Sequence, residues 1–335
     1  MRRRTGLGAV LAVLTIALAG CSSGDGDSSG SASVGGGGGS GDQFKVIAFT
    51  SGNQTPIGAW WVKAVTAQAK QRGWDLKMIQ GDFDFQKMNP QVESAIGQGA
   101  DVILDGYTDV ASIGSIVTAA KDAKIPIFAM DSATKATDAF AVNITTNQQG
   151  IVDGTLKVLD SSIGGLKGKN VMVIGHDPHP GIRLRASLAE KDLKAAGATI
   201  AGGDIQKVKS PATGRTEALA LVSDYLTAHP NGLDAVWVGW DDAALGASQA
   251  ITEAGSKAKV TGSDATSEAI AQIQAGGAFV ATANQPWPDV LNTVLDDVSS
   301  YQKDKKMPSK NYEAVDTTIV DKTNAATITP SDKLG

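Results

Sequence analysis

Short apolar segments alternate with longer amphipathic segments along most of the chain. In the first part of the chain, runs of apolar residues predict strands at 45–49, 74–79, 102–104 and 125–130. Between these runs, apolar residues recur at helical spacing, which predicts helices over 60–72, 88–96 and 110–123. The predicted strands are apolar on both faces, and such strands are typical of a parallel sheet covered by helices.

The same alternation starts again after residue 149. Further strands are predicted at 170–174, at 235–238, around Val260 and at 279–283. The helices of this second half are predicted over 149–159, 183–196, 216–228, 243–254, 268–274 and 289–301. A last strand, near 314–320, is expected to cross back between the halves. The pattern therefore predicts two doubly wound α/β halves.

The first residues of the chain differ from the rest. A basic start is followed by an apolar run that ends just before Cys21. This run is shorter than the ~20 apolar residues of a membrane span, so residues 1–21 are predicted to be a secretory signal peptide. The small residues before Cys21 resemble the lipobox of bacterial lipoproteins, which implies that Cys21 is lipidated. A plain signal peptide and a short anchor helix are the alternatives.

Composition adds three constraints. Residues 22–43 are mainly Ser, Gly and Asp, which predicts a flexible tether. Cys21 is the chain's single cysteine, which excludes a disulfide within the chain and argues against a thiolate metal site. The formal net charge is −5 even with the arginines of the signal peptide included, which argues against nucleic acid as a partner.

A search for catalytic motifs finds little. Ser51–Asn53, after the first predicted strand, has neither the glycine spacing of a dinucleotide-binding loop nor the lysine of a P-loop. A nucleophile elbow and an H-E-x-x-H motif are also absent. His176, Asp177 and His179 are a weak metal candidate without an obvious further ligand. We therefore predict that the protein is not an enzyme and uses neither a cofactor nor a metal.

The loops after the predicted strands are rich in hydrogen-bonding groups and tryptophan. In doubly wound folds, ligands bind outside the carboxyl ends of the strands. Such loops suit a sugar, which has hydroxyl groups at its edge and apolar C–H faces. Trp240 is predicted to contact the ligand, whereas Trp237 lies within a strand and is predicted to be in the core. Of Trp60 and Trp61, one is expected to face the cleft, and Trp287 is left open between ligand and hinge.

Four stretches carry a family resemblance. They are 125–131, 226–230 together with 235–247, 260–264 and 282–286. They resemble the periplasmic sugar-binding proteins of the ribose and glucose/galactose type, and the resemblance covers nearly all of the chain after the tether. It implies a type I periplasmic-binding-protein fold, an α/β fold of two doubly wound parallel-sheet lobes joined by a three-segment hinge. Crossovers are expected near 143–146, 285–286 and 316–318.

The resemblance also implies ligand positions. Asp131, Arg185, Asp264 and Gln285 keep the residue types expected there, and His179 stands at the position of a ligand histidine. The carboxylates would accept hydroxyl protons and the guanidinium would donate. For both aspartates, capping of a helix is the alternative role.

Some positions depart from the family pattern. Gly181 replaces an expected aspartate, Trp240 an expected asparagine and Ser132 an expected arginine, while Ile57 and Gly58 stand where the ribose type has phenylalanines. These departures leave the class of protein intact and favour a solute that is less polar than ribose, or of a different shape.

The resemblance further implies a division into domains. The N-terminal lobe is expected to comprise 44–144 and 286–316, and the C-terminal lobe and tail 145–285 and 317–335.

The predicted function is that of an extracytoplasmic solute-binding lipoprotein of an ABC importer. It would bind a monosaccharide or related polyol by hinged closure, act as a monomer, and be anchored by lipid to the outer face of the cell membrane beside its permease. One alternative is a sensory module that passes ligand closure to a membrane receptor. Another is an enzyme acting on a sugar or nucleoside, with His179 and Asp131 as acid and base. A transcriptional regulator of the same fold is disfavoured by the export signal.

Overall fold

The computed structural model describes residues 43–333, which fold into two α/β lobes. The predicted signal peptide with Cys21, and the predicted tether up to residue 42, lie outside the described residues. Within 43–333, every helix is too short or too polar to cross a membrane.

The N-terminal lobe is built on a six-stranded, fully parallel sheet with the strand order β12-β5-β4-β3-β1-β2. Its strands are β1 (Lys45–Thr50), β2 (Asp75–Gln80), β3 (Val102–Gly106), β4 (Ile127–Met130), β5 (Val142–Thr146) and β12 (Tyr312–Val315). Its helices are α1 (Pro56–Arg72), α2 (Phe85–Gly97), α3 (Gly114–Ala123) and α9 (Trp287–Asp304).

The C-terminal lobe is built on a seven-stranded sheet with the order β13-β11-β10-β9-β6-β7, in which β8 also pairs with β6. Its strands are β6 (Asn170–Gly175), β7 (Thr199–Ile200), β8 (Gln206–Lys207), β9 (Ala235–Val238), β10 (Lys259–Thr261), β11 (Phe279–Asn284) and β13 (Thr318–Asp321). Its helices are α4 (Gln148–Ile163), α5 (Pro180–Ala195), α6 (Gly214–Ala228), α7 (Asp241–Glu253) and α8 (Ser267–Ala275). Only β13 pairs antiparallel, with β11. Two 3-10 turns, Pro211–Thr213 and Ser331–Lys333, complete the described secondary structure.

Helices cover each sheet on both faces. Successive strand residues point to opposite sides, and both sets of side chains are apolar. In the N-terminal lobe, Val46 and Ala48 pack with α1 and α9, whereas Ile47 and Phe49 pack with α2 and α3. The C-terminal sheet is divided in the same way between α6, α7 and α8 on one face and α4 and α5 on the other. The alternation read from the sequence therefore predicts the fold class correctly.

The chain passes between the sheets three times. The passages lie between β5 and α4, between β11 and α9, and between β12 and β13. Side chains tie the passages together: Asn147 Nδ2 donates to Asp316 Oδ1 (2.9 Å), and Gln285 Oε1 accepts from the Thr146 hydroxyl (2.8 Å). The first passage follows 143–146 rather than occupying it, because these residues form the buried strand β5. The predicted last strand is likewise two strands, β12 and β13, with the third passage between them.

Two helices begin at other residues than predicted, because local hydrogen bonds set where they start. Helix α1 begins at Pro56 because the Thr55 hydroxyl accepts the N–H of Gly58 (3.1 Å) and proline suits the first helical turn. Helix α3 begins only at Gly114, because Asp109 Oδ1 accepts the N–H of Ala111 (3.0 Å) and holds the preceding segment as a turn. That turn lies beside the cleft between the lobes.

Candidate functional site

A cavity of about 170 Å³ lies between the lobes, at the carboxyl ends of their strands. Both lobes and the passages between them contribute to its lining. Six of the residues predicted from the sequence line it: Asp131, His179, Arg185, Trp240, Asp264 and Gln285. The structure thus brings together, from five separate places in the chain, most of the predicted site.

Three cavity residues directly past strand ends have positive φ angles. They are Tyr107 after β3 (φ 58°), Asp131 after β4 (φ 57°) and Asp264 past β10 (φ 137°). Residues other than glycine seldom adopt such angles. Backbone hydrogen bonds to neighbouring strands hold all three positions: the N–H of Tyr107 donates to Met130 O, that of Asp131 to Ile144 O and that of Asp264 to Ala283 O. Strained positions of this kind cluster at functional sites.

Asp131 and His179 meet across the cleft, with Nε2 of the histidine 3.4 Å from Oδ2 of the carboxylate. Asp131 Oδ1 accepts from the Thr145 hydroxyl. Burial raises the pKa of Asp131 to about 6, although Arg185 and Thr145 oppose this rise. Burial, and then the charge of Arg185, lower the pKa of His179 well below its usual value. Since His179 Nδ1 accepts the N–H of Ile182 (3.3 Å), the proton of the neutral ring lies on Nε2, toward Asp131.

Arg185 is buried beside the two carboxylates. Its Nε donates to Gly181 O (3.3 Å) and its Nη1 to Gly239 O (3.1 Å), so the backbone fixes the plane of the guanidinium. Burial lowers the pKa of Arg185, while Asp131 and Asp264 oppose this effect by their charges. Arginine stays protonated in such an environment. A side chain at Gly181 would begin 3.3 Å from Arg185 Nη2 and from His179 Cε1, so the aspartate expected there would crowd this arrangement.

Asp264 belongs to a second, deeper polar group. Gln285 Nε2 donates to Asp264 Oδ1 (2.8 Å). Behind Asp264, the fully buried Asp241 accepts from the Thr282 hydroxyl (2.6 Å) and from the N–H of Thr266 (2.8 Å). Burial, and next the charge of Asp241, raise the pKa of Asp264 well above its usual value. Thr266, not Asp264, is the N-cap residue of α8, and Asp131 stands before no helix, so neither aspartate caps a helix that follows it. Asp264 Oδ2 accepts the N–H of Asp241, the first residue of α7 (3.5 Å).

Aromatic side chains complete the wall of the cavity. Tyr107 stands edge-on to Trp287, with ring centroids 5.4 Å apart, and both line the cavity. Trp240 packs on Gly214, where a Cβ would lie 2.7 Å from its ring. The hydroxyl of Tyr107 and the indole N–H groups of Trp240 and Trp287 are buried and have no hydrogen-bond partner within residues 43–333. Buried polar groups are normally satisfied.

The structure corrects the placement of Trp60 and Trp61. Both belong to the hydrophobic cluster of the N-terminal lobe, and neither lines the cavity. Trp61 lies against Gly106, where a Cβ would be 2.5 Å from its ring, so the missing side chain at the end of β3 makes room for the indole. Trp237 is in the core as predicted and donates from Nε1 to the Thr155 hydroxyl (3.0 Å).

Two aromatic cavity residues are missing from the sequence-based set. Tyr107 lies in a loop that follows a predicted strand, so its position was a usable signal. Phe83 lies in the loop after β2, which the sequence did not single out. Trp287, left open in the sequence analysis, lines the cavity at the start of α9.

The three residues considered as a weak metal candidate do not converge on one site in the structure. His179 faces Asp131, Asp177 pairs with Lys207, and His176 Nδ1 lies 2.9 Å from Val208 O. Across the described part of the chain, no group of three or more metal-binding side chains comes together.

A second contact joins the lobes beside the cavity. Arg183 Nη2 of α5 lies 2.9 Å from Asp109 Oδ2, in the loop after β3. Asp109 is largely buried, whereas Arg183 is partly exposed. Together with the pair of Asp131 and His179, this ion pair holds the two lobes against each other across the cleft.

Comparison with known proteins identifies the family and agrees with the fold. The profile of the periplasmic binding protein domain matches residues 47–306. The ribose import binding protein of Bacillus subtilis is 26% identical over 226 residues, which cover 67% of this chain and 70% of that protein. The D-apiose import binding protein of Paraburkholderia graminis is 26% identical over 283 residues, covering 84% of this chain and 88% of that protein.

A solved structure shows the same fold. It is an ABC transporter solute-binding protein from Agrobacterium vitis with bound allitol, with a TM-score of 0.76 at 22% identity, covering 85% of this chain and 97% of that chain. The three relatives are all named as binding proteins, which agrees with the prediction that the chain is not an enzyme. Because the domain match spans most of the sequence, the chain belongs to the periplasmic binding protein family, with two α/β lobes in the type I fold.

Proposed function

We propose that the protein is the extracytoplasmic solute-binding component of an ABC importer and that it holds a monosaccharide or related polyol in the cavity between its lobes. The observation that carries the proposal is the buried guanidinium of Arg185 beside two carboxylates, Asp131 from one lobe and Asp264 from the other. Such a group offers both acceptors and donors, as a ring of hydroxyl groups requires. The names of the ribose and D-apiose relatives support the same class of solute.

Each site residue has a role in this proposal. Asp131 and Asp264 accept hydroxyl protons, Arg185 donates, and Gln285 and His179 orient the two carboxylates. The ring of Trp240 covers an apolar face of the sugar. The buried donors of Tyr107 and Trp287 gain partners when hydroxyl groups of the solute approach them. Trp60 and Trp61 are left out, because they belong to the core.

Binding and release require the lobes to move. We assign the lobes to 44–146 with 286–316 and to 147–285 with 317–333, with the hinge at the three passages between them. The first boundary lies after Thr146, two residues later than expected from the sequence, because β5 ends there. The solute favours the closed arrangement because it contacts both lobes only when they meet. The closed form presents one surface to the permease.

The proposal includes the N-terminal segment. Residues 1–21 act as a signal peptide, Cys21 carries lipid, and 22–43 tether a monomeric body to the outer face of the cell membrane. Mass spectrometry of the mature protein tests this directly. A lipid-modified N-terminal Cys21 is the expected result, and an unmodified cysteine in the exported protein contradicts the anchor.

Titration of the purified protein against pentoses, hexoses, polyols, inositols and amino acids tests the function. Tryptophan fluorescence is the first readout, and calorimetry follows any response. We expect saturable one-to-one binding of one sugar or polyol, which Asp264→Ala and Trp240→Ala both abolish. Trp60→Phe is the matched control and should retain binding, because its ring is in the core. A flat response to every carbohydrate from protein that unfolds cooperatively contradicts the proposal.

Incubation of the protein with the bound solute separates the remaining alternatives. The pair of Asp131 and His179 is the acid–base couple that an enzyme would need, so chemical conversion of the solute would favour that alternative. Unchanged solute, together with stimulation of a permease–ATPase complex in vesicles, supports import. Binding without such stimulation favours a sensory module.

A further inference from the structure

Buried polar groups form the floor of the cavity, and an apolar patch lies among the more exposed residues of its lining, beside polar residues such as Gln54 and Asp242. We define the floor as Asp131, Arg185 and Gln285, each of which is at most 2% exposed. We define the apolar rim as Phe83, Pro211 and Ala212, which line the same cavity and are half-buried or exposed. Folding alone favours the opposite arrangement, with apolar groups inside and charges outside. The buried charged groups of the floor therefore call for an explanation other than stability.

Phe83 has no evident role in the core. Within residues 43–333 it belongs to none of the hydrophobic clusters, although its neighbour Phe85 packs against one of them. Its ring lies over Gly52, where a Cβ would be 3.8 Å from Cε1. The ring is thus placed against the backbone of the loop after β1, with an edge in the cavity.

The loop that carries Phe83 is held in a strained conformation. Asp82 and Phe83 have φ angles of 50° and 61°, which residues other than glycine adopt infrequently. Asn53 clamps this turn: its Oδ1 accepts the N–H of Asp82 (3.0 Å) and its Nδ2 donates to Asp82 Oδ1 (2.6 Å). The N–H of Phe83 donates to Ser51 O (2.8 Å). Strain maintained by specific bonds, around a side chain outside the core, is a mark of function.

The C-terminal lobe supplies the other side of the rim. Pro211 and Ala212 begin the 3-10 turn before α6, and the Ser210 hydroxyl accepts the N–H of Ala212 (3.3 Å) to hold the turn in place. The adjoining Gly214 packs on Trp240, which continues the apolar surface into the cavity. The rim is consequently assembled from both lobes, as the floor is.

We propose that the apolar rim is a subsite for an apolar group of the solute, so that the ligand is a monosaccharide joined to an apolar aglycone. This inference rests on the proposed function, in which the floor binds the sugar hydroxyls. The aglycone leaves the floor through the rim, between Phe83 of one lobe and Pro211 and Ala212 of the other. Its burial there removes apolar surface of both ligand and protein from water.

Calorimetry with matched pairs of ligands tests the subsite. The pairs are D-ribose, D-xylose, D-glucose and D-galactose, each beside its methyl and phenyl glycosides in both anomeric forms. For at least one sugar, we expect the phenyl glycoside to bind about tenfold tighter or more than the parent sugar, given the apolar area buried. The methyl glycoside should lie between them.

Phe83→Ala provides the decisive variant. It should reduce the advantage of the phenyl glycoside to about twofold or less and leave the parent sugar within about twofold of its original affinity. Ala212→Asp, on the opposite lobe, should have the same selective effect, and it does not depend on the fold of the loop around Phe83. Met307→Ala is the matched control, because Met307 is an apolar side chain that is 49% exposed and lies outside the cavity lining.

Two results overturn the subsite while leaving the proposed function intact. In one, a parent sugar binds and its glycosides bind equally or more weakly throughout the panel. In the other, Phe83→Ala and Ala212→Asp weaken parent sugar and glycoside by the same factor. Absence of binding by every sugar and glycoside of this panel, and by every pentose, hexose, polyol and inositol of the earlier titration, contradicts the proposed function as well, so the two failures are distinguishable.

Discussion

The two lobes contribute different groups to the contacts between them. Where side chains meet across the cleft, the N-terminal lobe supplies the acceptor, Asp109 or Asp131, and the C-terminal lobe supplies the donor, Arg183 or His179. Arg185, which attracts Asp131 electrostatically, also belongs to the C-terminal lobe. The closed arrangement thus has an electrostatic contribution that neither lobe has alone.

A second difference lies in the acids behind the site. Asp241 of the C-terminal lobe accepts hydrogen bonds at both oxygens. Asp105 of the N-terminal lobe accepts one from Thr108 (2.8 Å), and its Oδ1 has no partner within 43–333. Burial raises the pKa of Asp241 to about 6 and that of Asp105 to about 7. The comparison teaches that surrounding donors offset part of the cost of burying a carboxylate.

Replacement of Arg185 should have the largest effect of the changes proposed, because its guanidinium lies beside carboxylates from both lobes. Arg185→Met leaves Asp131 and Asp264 buried without the guanidinium beside them. We expect affinity for the solute to fall about 100-fold or more and the free energy of unfolding to fall by about 3 kcal/mol. Calorimetry and urea unfolding measure these two quantities.

The control for this prediction is Arg72→Met. Arg72 is a partly buried arginine that pairs with Asp296 away from the cavity, so its loss should leave affinity unchanged. Affinity within about threefold of the original protein for Arg185→Met would contradict the central role of the guanidinium.

Lowering the pH should raise the contribution of Asp131 to stability, whereas it lowers that of an ordinary ion-paired carboxylate. Its pKa is raised from 3.8 to about 6 in the folded protein, so between these values the folded state holds the extra proton. The contribution of Asp131 to stability is therefore present at pH 4 and is lost as the pH rises through 6. Asp131→Asn removes this dependence, so between pH 4 and pH 7 the free energy of unfolding of the variant should rise by about 2.4 kcal/mol relative to that of the original protein.

Urea unfolding of the ligand-free protein at pH 4, 5, 6 and 7 measures this change. Asp138→Asn, at an exposed position of the same lobe, is the control and should show no comparable trend. A difference between Asp131→Asn and the original protein that is constant over this range would contradict the burial of a titrating group.

Breaking the ion pair of Asp109 and Arg183 should have the smallest effect on solute binding, because Arg183 is 44% exposed. Arg183→Ala and Asp109→Ala should each weaken solute binding about two- to fivefold, and the double variant should add little. Small-angle scattering should show a larger ligand-free radius of gyration in each single variant. Lys207→Ala breaks an ion pair within the C-terminal lobe and serves as the control. Additive losses in the double variant would show that the two residues act independently.

Much of the site could be anticipated because it depends on local positions in the chain. Asp131 and Asp264 follow buried strands, and parallel strands bring their carboxyl ends to one edge of the sheet. Trp240 could be found by the same reasoning. The position of Trp60 and Trp61 could not, because the apolar pattern of a helix does not tell that both of two adjacent rings will be buried in the core. The absence of a side chain at Gly106, 45 residues beyond Trp61, provides the space for that ring.

The sequence by itself determined the fold class, since the alternation of apolar strands and amphipathic helices has few solutions other than covered parallel sheets. Together with the family resemblance, it also indicated the polar floor of Asp131, Arg185 and Gln285, and it placed Asp264 near the same cleft. Only the tertiary structure decided which aromatic side chains reach the cavity, that Phe83 joins the rim, and that Asp109 meets Arg183. Those features depend on contacts between residues far apart in the chain and on a closed arrangement of two lobes, which no local pattern encodes.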